Sequence, residues 1–385
     1  MYERSLSARL KRDRHHVLLL GPRQVGKSTL IGSLEPDFTL NLASLATFRE
    51  FVSQPERLER ELLAARPGIR TIFIDEVQRV PALLDGVQAL VDAHPRRFRF
   101  LLSGSSARKL RRGHANLLPG RIVLHHLHPL LACELGADFN LDRVLAHGTL
   151  PGIYADRDAD SRSHILRSYV DAYLREEIQA EALVRDIGGY SRLLDLAVAS
   201  SGRIVNLNAL SRDAAVSYET ARRYLDVLED TLILFRIPAW SGSDRASLVA
   251  HPKLMLFDLG VRNAILRRPL DRPLDDERGL LLEHLVGLEL RRREGTIWPE
   301  ARVQHFRTSR GAEVDFIVSV GRDLWAIEVK ASRHVDRRDL KGLGAFADRA
   351  RKVVRQIVVF LGARRQRLDD VDVLPVEEFL AELPV

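Results

Sequence analysis

Cysteine is almost absent from this sequence. Cys133 is the only one among 385 residues, so neither an internal disulfide nor a paired-cysteine metal site is possible. Long apolar stretches are absent too, because runs such as residues 17–20 cover only a few positions and a membrane-spanning helix needs about 20. There is also no apolar segment of the kind that a secretory leader carries. These absences exclude a disulfide-stapled secreted scaffold and a membrane-spanning protein, and they predict a cytoplasmic location.

Lysine is scarce, whereas arginine is abundant. Only seven of the 59 basic residues are lysines, and the excess over 52 acidic residues gives a net charge of +7. Guanidinium groups bind phosphate bidentately, so this composition suits a nucleic-acid partner. A GC-rich genome produces the same arginine bias without functional meaning, and composition alone leaves both explanations open.

The length of the chain predicts more than one domain. Of the 385 residues, 45% are hydrophobic and 29% are charged, which is enough apolar material for two or three globular domains. Residues 1–155 alternate apolar strands with helical periodicity, as in a parallel α/β sheet. Residues 156–240 have an almost continuous helical pattern, and residues 241–385 return to mixed helix and strand. The strands predicted for the first domain are 16–20, 38–42, 71–74, 98–102 and 121–125.

A phosphate-binding loop follows the first predicted strand. The segment matches G-x-x-x-x-G-K-[ST] in full and stands between an apolar strand and a helical run. Backbone N–H groups of such a loop surround phosphates at the start of a helix, where anions are favoured. Lys27 is expected to reach the β- and γ-phosphates of ATP, and the Ser28 hydroxyl to bind Mg²⁺. The predicted nucleotide-binding residues are Gly21, Pro22, Arg23, Gln24, Val25, Gly26, Lys27, Ser28 and Thr29.

Two carboxylates end the strand that starts at Thr71. Asp75 is expected to hold Mg²⁺ directly or through water, and Glu76 to polarise the water that attacks the γ-phosphate. Ser103 directly follows the predicted strand 98–102, at a position where a side chain would contact the γ-phosphate. Serine-rich turns are also common as loops without such a role. Arg121, ahead of the last strand, is a candidate arginine finger for the site of a neighbouring subunit. A solvated arginine at a strand start explains Arg121 equally well.

Together these segments resemble a widespread prokaryotic family of AAA+-like P-loop ATPases. The stretches GPRQVGKSTL, FIDEVQRVP, LLSGSSARKL and LPGRI occur in that order. Later segments are similar to the C-terminal domain of unknown function in that family. These segments are LREEI at 174–178, DLGVRNAIL at 258–266, LLLEHLVGLEL at 280–290, and RTSRGAEVDFIV followed by AIEVKAS. The resemblance spans residues 17–332, and it implies ATP hydrolysis and a homo-oligomeric ring, namely a hexamer.

The middle region contains a helix–turn–helix pattern. Residues 206–216 and 218–229 have helical spacing around a turn at Ser217, and a strand pattern follows at 232–237. This order matches a winged helix-turn-helix, whose second helix can enter the DNA major groove. Arg222 and Arg223 on that helix are the predicted DNA-binding residues. A helical packing module without DNA contact is the alternative, because such domains also serve as lids and subunit interfaces.

Acidic residues recur on strand-like segments of the third region. Asp315 lies on 313–318, and Glu328 and Lys330 share one face of 325–331 because side chains alternate along a strand. With Glu283 on an upstream helix they resemble the PD-(D/E)XK nuclease core. In that core the carboxylates bind Mg²⁺ and the lysine stabilises charge around the attacking water. An active nuclease, a nuclease-like fold kept for DNA binding or assembly, and plain solvated charges all remain open.

These patterns predict an ATPase that uses ATP and Mg²⁺. The expected fold is α/β: an AAA+-like P-loop parallel sheet, a helical and winged-helix region, and a PD-(D/E)XK-like α/β domain. The expected function is ATP hydrolysis by an oligomeric DNA-acting motor that remodels or translocates branched DNA. The alternatives are an ATP-gated, Mg²⁺-dependent nuclease and a nucleotide-controlled switch that binds protein partners in a regulatory or toxin-antitoxin-like setting.

Overall fold

Five parallel strands form the N-terminal sheet. They are β1 (His16–Leu20), β2 (Phe38–Asn41), β3 (Thr71–Asp75), β4 (Arg99–Gly104) and β5 (Ile122–His126). In the computed structural model, which describes residues 2–105, 120–174, 186–241, 249–350 and 354–384, their spatial order is β2-β3-β4-β1-β5. All four neighbouring pairs are parallel. The central strands β1, β3 and β4 are buried almost throughout, as is typical of parallel sheets.

Helices complete the core around this sheet. They are α1 (Ser5–Arg12), α2 (Lys27–Gly32), α3 (Leu45–Ser53), α4 (Arg57–Ala64) and α5 (Leu83–Ala93), with a 3₁₀ turn at Val77–Arg79. Leu58 and Leu62 of α4, and Val87 and Leu90 of α5, pack with apolar side chains of β1 and β3. Their spacing of three or four residues gives each helix one apolar face, which explains why these segments are helical and which side they bury.

A run of short helices follows the sheet. They are α6 (Ala132–Leu135), α7 (Leu141–His147), α8 (Pro151–Ala155), α9 (Ala159–Ser168), α10 (Ile187–Ala199), α11 (Leu207–Asp213) and α12 (Tyr218–Asp230), and a π-helical turn at Tyr169–Leu174 extends α9. Side-chain caps define several starts. Asn140 Oδ1 accepts from the Arg143 N–H at 2.9 Å, and Asp158 Oδ1 accepts from the Asp160 N–H at 3.0 Å. Such caps satisfy backbone donors that the first helical turn leaves unpaired.

Helices α11 and α12 are joined by a short turn and followed by a small sheet. Ser217 Oγ accepts from the Thr220 N–H at 3.2 Å and starts α12. The buried residues of α12 include Ala221, Tyr224, Leu225 and Leu228, a helical stripe that leaves the opposite face exposed. Strands β6 (Leu234–Ile237) and β7 (Lys253–Leu256) then pair antiparallel.

The C-terminal sheet has six strands of mixed direction. They are β8 (Arg302–Arg307), β9 (Glu313–Val320), β10 (Asp323–Lys330), β11 (Val354–Phe360), β12 (Gln366–Leu368) and β13 (Val371–Pro375), in the order β12-β13-β11-β10-β9-β8. Strands β10, β11 and β13 are parallel, and the other pairs are antiparallel. The helices of this region are α13 (Leu259–Ile265), α14 (Arg278–Arg293), α15 (Lys341–Ala347) and α16 (Val376–Glu382). Phe306, Phe346 and Phe360 form part of one core over this sheet.

The expected fold class is confirmed: a parallel sheet with a P-loop after its first strand is followed by a helical region and a C-terminal mixed sheet. The chain groups into two compact units, an N-terminal unit (Met1–His128 and Asp230–Ile233) and a C-terminal unit (Pro129–Glu229 and Leu234–Val385). This grouping places the helical region and the six-stranded sheet in one unit. The division into three domains with limits at 155 and 240 stays a prediction.

Parts of three segments that carry the family resemblance lie outside the described residues. They are the end of LLSGSSARKL, the start of LPGRI and most of LREEI. Within the described ranges, no helix has both the length and the apolar character needed to cross a membrane.

Candidate nucleotide site and C-terminal acidic cluster

The strand order brings three segments of the N-terminal unit to one edge of its sheet. Strand β1 lies next to β4, and β4 lies next to β3. Because all of them are parallel, their carboxyl ends meet at the same edge, which is where α/β sheets bind ligands. The P-loop leaves β1 at this edge, Ser103 lies near the end of β4, and Asp75 ends β3.

Backbone carbonyl groups of the P-loop bind the side chain of Lys27. Gly26, just before α2, has a φ of +91°, a left-handed conformation that glycine adopts without strain. Lys27 is 5% exposed, and its Nζ donates to the carbonyls of Gly21 and Pro22, both at 2.9 Å. The ammonium group is thus held within the loop. Of the other predicted loop residues, Val25 is buried, Arg23 is half-buried, and Gln24, Ser28 and Thr29 are exposed.

Asp75 is the centre of a hydrogen-bond network. Ser28 Oγ donates to its Oδ2 at 2.7 Å, and Ser103 Oγ donates to its Oδ1. Ser103 Oγ also accepts from the backbone N–H of Glu76 at 3.2 Å. The structure therefore brings together Ser28, Asp75, Glu76 and Ser103, which the sequence placed on three separate segments.

Glu76 has an unusual backbone conformation, and its carboxylate contacts a residue that the sequence did not single out. Its φ and ψ are 58° and 45°, a left-handed geometry that is uncommon outside glycine and concentrates at functional sites. Gln78 is buried, and its Nε2 donates to the Glu76 carboxylate and, at 2.9 Å, to Ser105 Oγ. Gln78 Oε1 has no hydrogen-bond partner among the residues that the structure describes. An amide two residues after the Asp–Glu pair, next to Val77, is the sequence signal that would have indicated Gln78.

Arg121 lies away from this edge. It immediately precedes β5, whose first residue is at the amino end of the parallel sheet. The P-loop leaves the opposite, carboxyl end. Arg121 is partly exposed, and its Nε donates to Asp92 Oδ1 at 2.7 Å. The structure therefore does not bring Arg121 to the nucleotide site of its own chain.

Family comparisons agree with the geometry of the N-terminal unit. Residues 13–136 match a family described as "AAA domain", so this part of the chain has the fold of AAA-type ATPases. Residues 138–272 match a "Domain of unknown function (DUF8612)". Residues 278–379 match a "Domain of unknown function (DUF4143)". Because the C-terminal match is to a domain of unknown function, the nuclease resemblance is left unsupported.

Similar sequences extend over most of this chain. An uncharacterized protein of Mycobacterium tuberculosis is 28% identical over 98% of this chain and 84% of its own length. An uncharacterized protein of Haemophilus influenzae is 22% identical over 80% of this chain and 77% of its own length.

Solved structures resemble the chain only distantly. The Aeropyrum pernix ORC1 protein in complex with DNA is 15% identical, covers 70% of this chain and 94% of its own, and has a TM-score of 0.31. AMPPCP-bound DnaA from Aquifex aeolicus is 11% identical, covers 58% of this chain and 84% of its own, and has a TM-score of 0.26. Likenesses at this level identify no ligand or partner.

The C-terminal acidic cluster contains a lysine that the sequence pattern did not include. Glu283 comes from α14, Asp315 from β9, and Glu328 and Lys330 from β10. The additional residue is Lys253 of β7, which is 1% exposed. Its Nζ donates to Glu283 Oε1 and lies 3.6 Å from Asp315 Oδ1. The lysine that the pattern did predict, Lys330, donates instead to Glu328 Oε1 at 2.8 Å.

The remaining contacts complete the cluster. Asp315 Oδ2 accepts from the Val329 N–H at 2.8 Å, and Lys253 Nζ is 3.3 Å from the Asp315 carbonyl oxygen. In the part of the chain that the structure describes, no three His, Cys, Asp or Glu side chains are arranged to hold a metal ion.

Burial and mutual repulsion set the protonation of this cluster. Burial, reinforced by the charge of Asp315, raises the pKa of Glu283 to about 8 and that of Glu328 also to about 8. Burial alone favours a neutral Lys253, but Glu283 and Asp315 outweigh it and raise the pKa of Lys253. Lys253 therefore stays a cation, while Glu283 and Glu328 hold their protons more tightly than ordinary glutamates do. A lysine in the apolar strand KLML signals such a pair, because buried lysines need an opposite charge.

Arg222 and Arg223 lie on the exposed face of α12. They line a shallow groove together with Glu219, Thr220 and Asp226. Asp226 is paired with Arg236 Nη2 at 2.6 Å, and the Arg223 guanidinium is 5.7 Å from the Tyr224 ring centre. Both predicted residues are accessible to a partner, on a face where basic and acidic side chains alternate.

Proposed function

We propose that this protein hydrolyses ATP at the edge where β1, β3 and β4 end. The observation that carries the proposal is the convergence of Lys27, Asp75 and Glu76 there, linked through Ser28 and Ser103. Lys27 supplies a positive charge for the β- and γ-phosphates, once they replace the loop carbonyls that it now contacts. Glu76 orients the attacking water and accepts its proton.

The residues present suit Mg²⁺. The Ser28 hydroxyl and an Asp75 carboxylate oxygen are 2.7 Å apart, and Mg²⁺ prefers one or two such protein oxygens completed by phosphates and water. Ser28 and Asp75 would hold the ion, which neutralises charge on the phosphates when bound. Ser103 positions Asp75 for this role by its hydrogen bond.

The first test is the rate of phosphate release from ATP by the purified chain. We expect turnover with Mg²⁺ and none when EDTA removes the ion. The Lys27→Ala variant should fall to the background rate, because neither phosphate binding nor charge compensation remains. Normal binding and hydrolysis by Lys27→Ala would disprove the P-loop assignment.

We further propose that ATP hydrolysis is coupled to DNA, in a motor that remodels or translocates branched DNA. The support is the α11–turn–α12 arrangement followed by the β6–β7 sheet, the order of a winged helix, with Arg222 and Arg223 exposed on the second helix. The net charge of +7 favours approach to a phosphate backbone.

The DNA proposal predicts that one DNA form stimulates turnover. ATPase rates would be measured with single-stranded, duplex and branched DNA, while end-labelled strands are followed in the same reactions. We expect a severalfold increase with the preferred DNA, and loss of that increase in the Arg222→Ala/Arg223→Ala variant with an unchanged basal rate. Arg364→Ala/Arg367→Ala, which removes two exposed arginines elsewhere, is the matched control. If no DNA changes the rate and the strands stay intact, a nucleotide-controlled switch with a protein partner replaces the motor.

We also propose that the chain works as a homo-oligomer, a hexamer in the arrangement that the family resemblance implies. Arg121 supports this, because its position at the amino end of β5 lies away from the nucleotide site of its own chain. In a ring, Arg121 would contact the γ-phosphate bound by an adjacent copy.

A further inference from the structure

The place between Glu283 and Asp315 is already filled by a cation. A nuclease of PD-(D/E)XK type needs a divalent ion at its acidic residues. Here Lys253 Nζ bonds to Glu283 and lies 3.6 Å from Asp315. The residues present therefore do not fit a metal ion.

Lys253 is fixed at this position by its backbone and its surroundings. Strand β7 pairs it with Ile237 of β6, and a second bridge joins it to Ile204. Its ammonium also lies 4.9 Å from the centre of the Phe316 ring, a favourable cation–π distance. With 1% of the residue exposed, the side chain has no solvent to move into.

The cluster needs no metal ion to offset its charge. Lys253 lies beside both Glu283 and Asp315, and Lys330 donates to Glu328 at 2.8 Å. Because burial raises the pKa of Glu283 and of Glu328 to about 8, bound protons take up the remaining negative charge near neutral pH. The second carboxylate oxygen of Asp315 accepts a hydrogen bond from the Val329 N–H. A divalent ion added here would meet a buried ammonium a few ångströms away, and like charges repel strongly where water is excluded.

We propose that the Lys253 ammonium replaces the divalent cation of a nuclease-type acidic cluster, so that the C-terminal sheet domain binds no metal there and does not cleave DNA by metal-assisted hydrolysis. The cluster instead joins β7 and α14 to the central strands β9 and β10. This inference is independent of ATP hydrolysis, because every residue in it belongs to the C-terminal unit.

The deciding measurement is Mn²⁺ binding to the nucleotide-free full chain, by electron paramagnetic resonance and thermal unfolding. A site filled at 100 times its dissociation constant would raise the Tm by about 5–10 °C. We expect no such rise in the wild type and no cut products from labelled DNA with Mn²⁺. Mn²⁺ binding or DNA cleavage that Asp315→Asn abolishes would overturn the proposal. If the wild type and Asp315→Asn bind Mn²⁺ equally, the ion lies outside the cluster. The cluster itself is then free of metal, as proposed.

Removal of the ammonium group gives a second test. The Lys253→Ala variant leaves the buried carboxyl groups of Glu283 and Asp315 without a neighbouring ammonium group and opens space beside them. Its Tm should fall by about 10 °C, and Mn²⁺ should restore part of the loss unless Asp315→Asn is added. A folded Lys253→Ala variant that gains no Mn²⁺ response would contradict the claim that the ammonium occupies a cation position. If this variant fails to fold, the wild-type titration still decides.

Discussion

Exchange of Glu76 for glutamine is expected to lower the turnover of ATP by about 10²–10⁴-fold while ATP binding remains. The amide has the size of the carboxylate and keeps an oxygen that can accept from Gln78 Nε2, so the loop geometry should persist. It cannot accept a proton from water. The rate of phosphate release and the affinity for a fluorescent ATP analogue, measured on the same preparation, separate the two effects.

Two controls define the meaning of that result. Glu35→Gln removes the same charge from an exposed residue that also has a positive φ, 53°, and should leave turnover unchanged. Lys27→Ala should lose binding as well as turnover. Wild-type turnover in Glu76→Gln would mean that another group activates the water, and the hydrogen bond from Gln78 would then have only a structural role.

Replacement of Gly260 by alanine is expected to destabilise the C-terminal unit by about 3 kcal/mol. A Cβ atom at this position of α13 would lie 2.0 Å from the carbonyl oxygen of His147 at the end of α7. Neither backbone can give way without moving a helix. The fully buried Asp258 caps α13 by accepting from Val261 N–H at 3.1 Å, and it also accepts from Thr149 N–H at 2.8 Å. Displacement of α13 would therefore strain these bonds too.

Calorimetric unfolding measures the effect of Gly260→Ala. The transition of the C-terminal unit should fall by about 6–12 °C, while the transition of the N-terminal unit should stay in place. Gly344→Ala is the matched control, because its Cβ would meet nothing within 4 Å on α15. We expect that change to be neutral or to stabilise by up to about 1 kcal/mol. Equal Tm values for the two variants would show that α13 and α7 are not packed as described.

Local patterns explain which parts could be predicted. The five N-terminal strands are short, apolar and separated by helical periodicity, so their type and approximate limits follow from sequence. The P-loop motif identifies Lys27 and Ser28 in the sequence. Because Asp75 ends a predicted strand, it is expected at the carboxyl edge of the sheet. Parallel pairing then forces these residues together, since carboxyl ends of parallel strands share one edge.

Long-range pairing explains what could not be predicted. Lys253 meets Glu283 and Asp315 from separate elements, and no local spacing encodes that meeting. The Glu–x–Lys pattern of β10 instead suggested Lys330 as the functional lysine. Helices α7 and α13 also pack across more than a hundred residues of chain, through the bond from Asn263 Nδ2 to the Leu145 carbonyl at 2.9 Å. No local pattern indicates that contact.

The four residues Asp230–Ile233 give the protein an interleaved topology. They belong to the N-terminal unit, although the chain on both sides of them belongs to the C-terminal unit, and Leu232 packs against the core around β1 and β3. The polypeptide therefore crosses between the units three times. No single proteolytic cut or gene truncation can release the complete N-terminal unit, and a fragment that ends at His128 lacks a piece of its own core.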